Sequence, residues 1–215
     1  MNILTSLLDL AAKPKRLRSL LSFNGKGYLN EIGWFNAFDN QKPVDAEGNP
    51  IPWVTYSFID FIKDRIGKQH AIFEFGSGNS TFFYAKSAGI VVSVEHDKGW
   101  YETILNNRPE NSEIIFCELH KDGDYCRMPV KLGEQFDIII VDGRDRVNCC
   151  KQAVAALSEN GVVVLDDSER EFYQPGIDFL KENGFRELPF SGISPGLFYR
   201  KSTSIFYKDN NCLGI

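Results

Sequence analysis

Four short runs of almost uninterrupted apolar residues constrain the fold more than anything else in this chain. Residues 71–75, 90–94, 136–141 and 162–165 each read as a strand, and 113–117 reads as another between the second and third of them. A strand that is apolar at consecutive positions is buried on both faces. Helical patterns separate the runs: one from Ser80 to Ala88, one carrying Trp100, Tyr101, Ile104 and Leu105, and one carrying Val147, Val154, Ala155 and Leu157. Ser168 with Glu171 reads as a capping box opening a further helix, which Pro175 interrupts or restarts and Asn183-Gly184 ends. Such alternation builds a parallel sheet with helices on both sides. It stops near the end. Residues 185–190 and 204–208 are joined by a loop holding Gly192, Pro195 and Gly196, with no room for a helix, so they pair as an antiparallel hairpin. The expected fold is α/β: a doubly wound, mostly parallel seven-stranded sheet with a C-terminal antiparallel hairpin and an N-terminal helical and aromatic extension.

The first strand runs into Glu74-Phe75-Gly76-Ser77-Gly78-Asn79-Ser80-Thr81. Glycines at a strand–helix turn let a ligand approach the backbone closely, and Ser80 is placed to cap the helix that follows. Glu74 stands two residues before the first glycine, where a carboxylate suits a cationic amine better than a phosphate. The second strand ends in Glu95-His96-Asp97, and Asp97 is placed to cap the next helix. A carboxylate such as Glu95 accepts two hydrogen bonds from a vicinal diol.

The two predicted strands at 136–141 and 162–165 end in acids. Asp142-Gly143-Arg144-Asp145-Arg146 follows the first, and Asp166-Asp167-Ser168 follows the second. In a parallel sheet both ends face the crevice that the glycine turn faces. Asp142, Asp166 and Asp167 can therefore serve as a general base or as ligands of a divalent cation, or Asp166 and Asp167 simply cap a helix and pair with the arginines. Arg144 or Arg146 is suited to clamping a substrate carboxylate or phosphate. The three histidines, His70, His96 and His120, have no metal-ligand spacing.

Residues 70–208 resemble the class I S-adenosylmethionine-dependent methyltransferases through the acid-x-Gly-x-Gly turn, Glu95 and the terminal hairpin. The resemblance implies S-adenosylmethionine as cofactor, held by Glu74, Gly76, Ser77, Gly78, Asn79, Ser80, Glu95, His96 and Asp142. It implies Asp142, Arg144 and Asp167 as catalytic residues and a small-molecule or sugar-like acceptor, methylated on oxygen. Metal-dependent O-methyltransferases resemble the chain at Asp142, Asp166 and Asp167, although the lysine familiar from them is missing here. The adenine-binding segment of the family maps onto residues 117–120 or the polar loop 121–125, where Asp122 and Asp124 are candidates. A non-catalytic adenosyl-ligand or protein-binding module on the same fold, and an NAD-dependent oxidoreductase, are the rival readings. Thr81 stands where a dinucleotide fingerprint wants its third small residue.

Composition bounds the rest. A chain of 215 residues, 43% hydrophobic and 25% charged, suits one globular domain with extensions. A net charge of −5 supplies no general footprint for nucleic acid, and none is expected as a partner. No apolar run is long enough to span a bilayer. The N-terminus is apolar first and basic afterwards, the reverse of a secretory signal, so a cytoplasmic protein is expected. Five cysteines without a CxxC pair read as reduced thiols. A homo-oligomer stays open.

Residues 1–54 differ from 55–215 and read as a helical extension capping the substrate side of the cofactor domain. Leu4, Leu7, Leu8 and Ala11 recur at helical spacing. Lys13, Lys15, Arg16 and Arg18 cluster around Pro14, which starts a second helix with Leu17, Leu20 and Leu21 on one side. This pair either packs on the domain or meets a partner or an anionic membrane surface. Trp34, Phe35, Phe38, Trp53 and Tyr56 flank an exposed turn at 44–50, as a lid or as walls of a substrate pocket. A helix is expected over 55–66.

Overall fold

The computed structural model describes residues 2–23 and 25–215, without the side chain of Leu4; Met1, Asn24 and that side chain lie outside the described residues. The first elements are short helices: α1 (Ile3–Ala11), α2 (Pro14–Ser22), α3 (Tyr28–Glu31), α4 (Trp34–Asn40) and α5 (Tyr56–Ile62). The alternation then begins with β1 (Ala71–Phe75), α6 (Asn79–Ser87), β2 (Ile90–Glu95), α7 (Lys98–Leu105) and β3 (Ser112–Phe116). It continues through α8 (Asp124–Lys131), β4 (Phe136–Val141), α9 (Arg146–Ala156), β5 (Leu157–Asp166) and α10 (Gln174–Glu182). The chain closes with β6 (Arg186–Gly192) and β7 (Lys201–Tyr207).

Among the described residues the strands form one sheet in the order β3-β2-β1-β4-β5-β7-β6. All neighbours from β3 to β5 are parallel, while β7 runs antiparallel to both β5 and β6. The strand order reverses between β1 and β4, the place where an open α/β sheet leaves a crevice at its carboxyl edge. The glycine turn after β1 and the acid-rich segment after β4 border that crevice.

Each strand sends alternate side chains to two cores. Phe73, Phe75, Val94, Ile139, Val141 and Leu165 pack with residues of α8, α9 and α10. Ile72, Val91, Ile138, Ile140 and Val164 pack on the other face with Trp34, Ile51, Val54 and residues of α5 and α6. Continuous apolar runs are thus required here, because both faces are covered.

Several boundaries differ from expectation. Thr81, not Ser80, closes the start of α6: its hydroxyl accepts from Gly78 N at 3.1 Å. Helix α8 occupies part of what reads as polar loop. Its buried stripe is Tyr125, Cys126 and Pro129, types that do not announce a core. Ser168 caps no helix; its hydroxyl meets Ser204 Oγ at 2.7 Å, and a 3₁₀ turn at Glu171–Tyr173 precedes α10. All five cysteines are free, and burial pushes the Cys126 thiol up to about 11 and Cys150 up to about 12, so both stay protonated. No described helix is long and apolar enough to cross a membrane.

Candidate active site at the sheet switch point

Two adjoining cavities open at the carboxyl edge. The larger, of about 770 Å³, is lined by the turn Gly76-Ser77, by Glu95, His96 and Asp97 after β2, and by Asp142, Gly143 and Arg144 after β4. Trp53 and Trp100 complete its walls. The smaller, of about 540 Å³, shares Trp53, Ser77, Ser80, Trp100 and Asp142 with it and adds Lys42, Pro43 and Phe82.

The glycines make this edge possible. Gly76 has φ +95°, a backbone state that a side chain would strain, and its N–H donates to Val94 O at 2.9 Å. Gly143 is required for a different reason. A Cβ there would overlap the Tyr125 hydroxyl and lie 2.9 Å from Phe75 O, so the β4 turn can pass over the end of β1 only without a side chain. Gly143→Ala is expected to lower stability by about 1–3 kcal/mol through overpacking, several degrees in Tm. A thermal melt coincident with wild type would refute that close approach.

Glu95 is buried and joins the two halves of the site. Its Oε1 accepts from His96 N at 2.7 Å and Asp97 N at 2.9 Å. Its Oε2 accepts from Ser77 N and Ser77 Oγ, both at 3.1 Å. These donors use the carboxylate's roughly four acceptor positions. The Ser77 hydroxyl is the one donor among them that a bond rotation can withdraw. Asp97 caps α7 through Trp100 N at 2.8 Å, as its position after β2 predicts. Trp100 then reaches back, its indole N–H donating to Ser77 O at 2.7 Å.

Glu74 lies beneath the turn. Its Oε2 accepts from Thr81 Oγ1 at 2.7 Å and Ser93 Oγ at 2.9 Å, and it lines the base of the larger cavity. Burial pushes its carboxyl up to about 7, against the pull of the hydroxyls that donate to it. Ser80, displaced from its expected capping role, faces both cavities. Asn79 lines the smaller one and donates to Pro43 O at 2.7 Å, tying the glycine turn to the N-terminal segment.

Behind Asp142 stands a buried cluster of charges. Asp142 Oδ1 accepts from Arg146 Nη2 at 2.9 Å. Arg146 also donates to Gly143 O, Asp142 O and Asp166 O, and lies 3.3 Å from Asp167. Lys201 Nζ sits 2.8 Å from Asp166 and 2.9 Å from Asp167, and donates to Trp53 O at 3.3 Å. Burial opposes the Lys201 ammonium, but Asp166 and Asp167 outweigh it and hold its pKa above the usual lysine range. Burial and the nearby Asp166 push Asp142 well above the usual carboxylate range, while Arg146 and Lys201 pull the other way. Asp167 adopts φ +56°, a costly state for a non-glycine residue.

The fold has solved counterparts. A methyltransferase-like protein from Silicibacter pomeroyi aligns at 20% identity with a TM-score of 0.55, covering 74% of this chain and 89% of its own. The precorrin-6y C5,15-methyltransferase of Geobacter metallireducens aligns at 15% identity and 0.51, over 71% and 87%. An S-adenosylmethionine-dependent O-methyltransferase from Thermotoga maritima aligns at 16% and 0.51, over 71% and 63%. This chain has the Rossmann-like methyltransferase fold. No protein-family model matches its sequence, and no curated protein does.

On that fold the expected residues fall into two groups. Glu74, Gly76, Ser77, Ser80, Glu95, His96, Asp142 and Arg144 line the larger cavity, and Gly78 and Asn79 line the smaller. Asp166 and Asp167 line neither; they lie behind Asp142, bound to Lys201 and Arg146. The divalent-cation site expected at Asp142, Asp166 and Asp167 is therefore corrected. Among the described residues no such ligand group comes together, and Lys201, Arg146 and Arg170 already pair with these carboxylates. Arg146 lines the larger cavity as well, but its guanidinium is largely buried and bonded within the cluster, whereas Arg144 is exposed at the rim. Asp122 and Asp124 line neither cavity; Asp124 pairs with Lys131 at 2.6 Å. Trp53 is the one of the expected pocket-wall aromatics that lines both cavities, whereas Lys201 and Trp100 are residues that sequence reasoning did not place in the site.

Proposed function

We propose that this chain is an S-adenosylmethionine-dependent methyltransferase acting on a hydroxyl of a small-molecule or sugar-like acceptor. The observation that carries the reading is Glu95: a buried carboxylate at the end of β2, hydrogen-bonded to the glycine turn, beside a cavity at the switch point. The residues fit the cofactor. Withdrawing the Ser77 hydroxyl frees an acceptor position on Glu95 for a ribose hydroxyl without moving the backbone. His96, Asp97 and Thr103 line the cavity and are suited to the adenine, while Glu74, Ser80 and Asp142 line it as well and are suited to the methionine moiety.

When bound, the cofactor supplies a methyl group on a positively charged sulfur. The protein's own part is alignment and proton handling. Asp142, its basicity raised by burial and Asp166 and its carboxylate oriented by Arg146, is the proton acceptor for an acceptor hydroxyl. Arg144 at the rim meets anionic groups on the acceptor. Residues 41–54, with Trp53 held through Lys201 and Pro43 through Asn79, form the acceptor-side wall of the two cavities. No resident metal enters this scheme. The test is mass spectrometry of small molecules released from the purified protein. S-adenosylmethionine or its demethylated product is expected; NAD would contradict the reading.

Glu74 adds a pH signature. Its raised carboxyl is mostly protonated in the free protein below pH 7. A cationic ligand above it favours the charged form, so binding releases a proton. Affinity therefore rises with pH toward about 7 and levels off above it. Calorimetry at about pH 6 in two buffers of different ionisation enthalpy is expected to show proton release that Glu74→Gln removes. Equal heats in both buffers would contradict a cation bound over Glu74.

A further inference from the structure

We infer that α1 and α2 form a docking element for the surface of an anionic phospholipid bilayer. Among the described residues, none before Leu29 joins either apolar core. Both helices are nonetheless amphipathic and leave their apolar sides open. Ile3, Leu7 and Leu8 of α1 are 78%, 57% and 64% exposed, and Leu20 and Leu21 of α2 are 46% and 68% exposed. A helix turns about 100° per residue, so Arg16 and Arg18 flank the Leu17-Leu20-Leu21 stripe on its two sides, and Lys15 lies opposite. Long cationic side chains beside an apolar stripe can reach headgroups while the stripe enters the acyl boundary.

The charge distribution selects the occupant. Residues 1–27 hold Lys13, Lys15, Arg16, Arg18 and Lys26 against the single Asp9, a net +4 on a chain whose total is −5. The other 188 residues therefore carry −9. An anionic bilayer attracts the helices and repels the body, which orients the molecule. A second copy meeting this one leucine to leucine would instead set Arg16 and Arg18 beside their own equivalents.

The test is flotation of the full chain with vesicles of phosphatidylcholine alone and vesicles rich in phosphatidylglycerol. Binding to the anionic vesicles only, released by salt, is expected. Arg16→Ser should weaken it about fivefold, and Arg16→Ser with Arg18→Ser about thirtyfold, from the worth of a cation near such a surface. Leu8→Ser with Leu21→Ser should abolish it while the thermal melt stays unchanged, since neither residue belongs to a core. Failure to float with anionic vesicles would overturn the inference. So would equal, salt-independent binding to phosphatidylcholine, or a dimer in sedimentation that the leucine variant abolishes.

Discussion

Glu95→Ala is expected to abolish measurable binding of S-adenosylmethionine, a loss of more than about a hundredfold. The carboxylate has two tasks and the variant removes both. In the ligand-free protein it satisfies His96 N, Asp97 N and Ser77 N, which fixes the chain after β2 against the turn after β1. Each buried donor left without a partner costs about 1–3 kcal/mol. It is also the acceptor for the ribose in the proposed complex, and a hydrogen bond to a charged group contributes about 1.5–3 kcal/mol. One such bond accounts for up to about a hundredfold in affinity, and losing the fixed arrangement of the turn and the chain after β2 takes the total beyond it. Glu95→Gln keeps a side chain of the same size but turns an amide toward N–H groups that need an acceptor, so it should bind nearly as poorly. Titration calorimetry checks both. Wild-type affinity in a folded Glu95→Ala protein would remove Glu95 from the site.

Lys201→Met is expected to destabilise the protein by about 3–5 kcal/mol, the usual consequence of removing one partner from a buried ion pair. Asp166 and Asp167 would lose the ammonium that contacts both at under 3 Å, while Thr203 Oγ1 still donates to Asp166 at 2.7 Å. Arg146 and Arg170 stay within ion-pair distance of these carboxylates, but neither fills the place of the ammonium between them. Denaturant melts of variant and wild type measure the loss. Adding Asp166→Asn to Lys201→Met should recover part of the loss. A destabilisation that Asp166→Asn does not relieve would mean that Lys201 acts through packing alone.

The legible and illegible parts of this molecule divide by the range of the interactions involved. β1 and β4 match their expected ranges, and β2 and β3 differ by a residue, because a strand covered on both faces carries its environment in its own composition. The glycine turn and Glu95 are local too: Gly76 answers to its own backbone angle, and Glu95 bonds its own successors and a turn one strand away. Helix α8 escaped because Pro129 sits inside it and its buried stripe uses tyrosine, cysteine and proline. The exchange of Ser80 for Thr81 at the start of α6 depends on Glu74 and Ser93 beneath the turn, which no capping rule includes. Lys201 was out of reach for a larger reason. It meets Asp166, 35 residues earlier in the chain, only because β7 pairs with β5 in a register that sets Asp166 opposite Thr203. That register turns an apparent metal-binding trio of acids into a neutralised cluster behind Asp142.

The most direct test of the central claim is titration calorimetry of the wild-type chain with S-adenosylmethionine and, separately, with NAD. The predicted result is saturable one-to-one binding of S-adenosylmethionine and none of NAD. Binding of NAD, or of neither ligand by a folded protein, would contradict it.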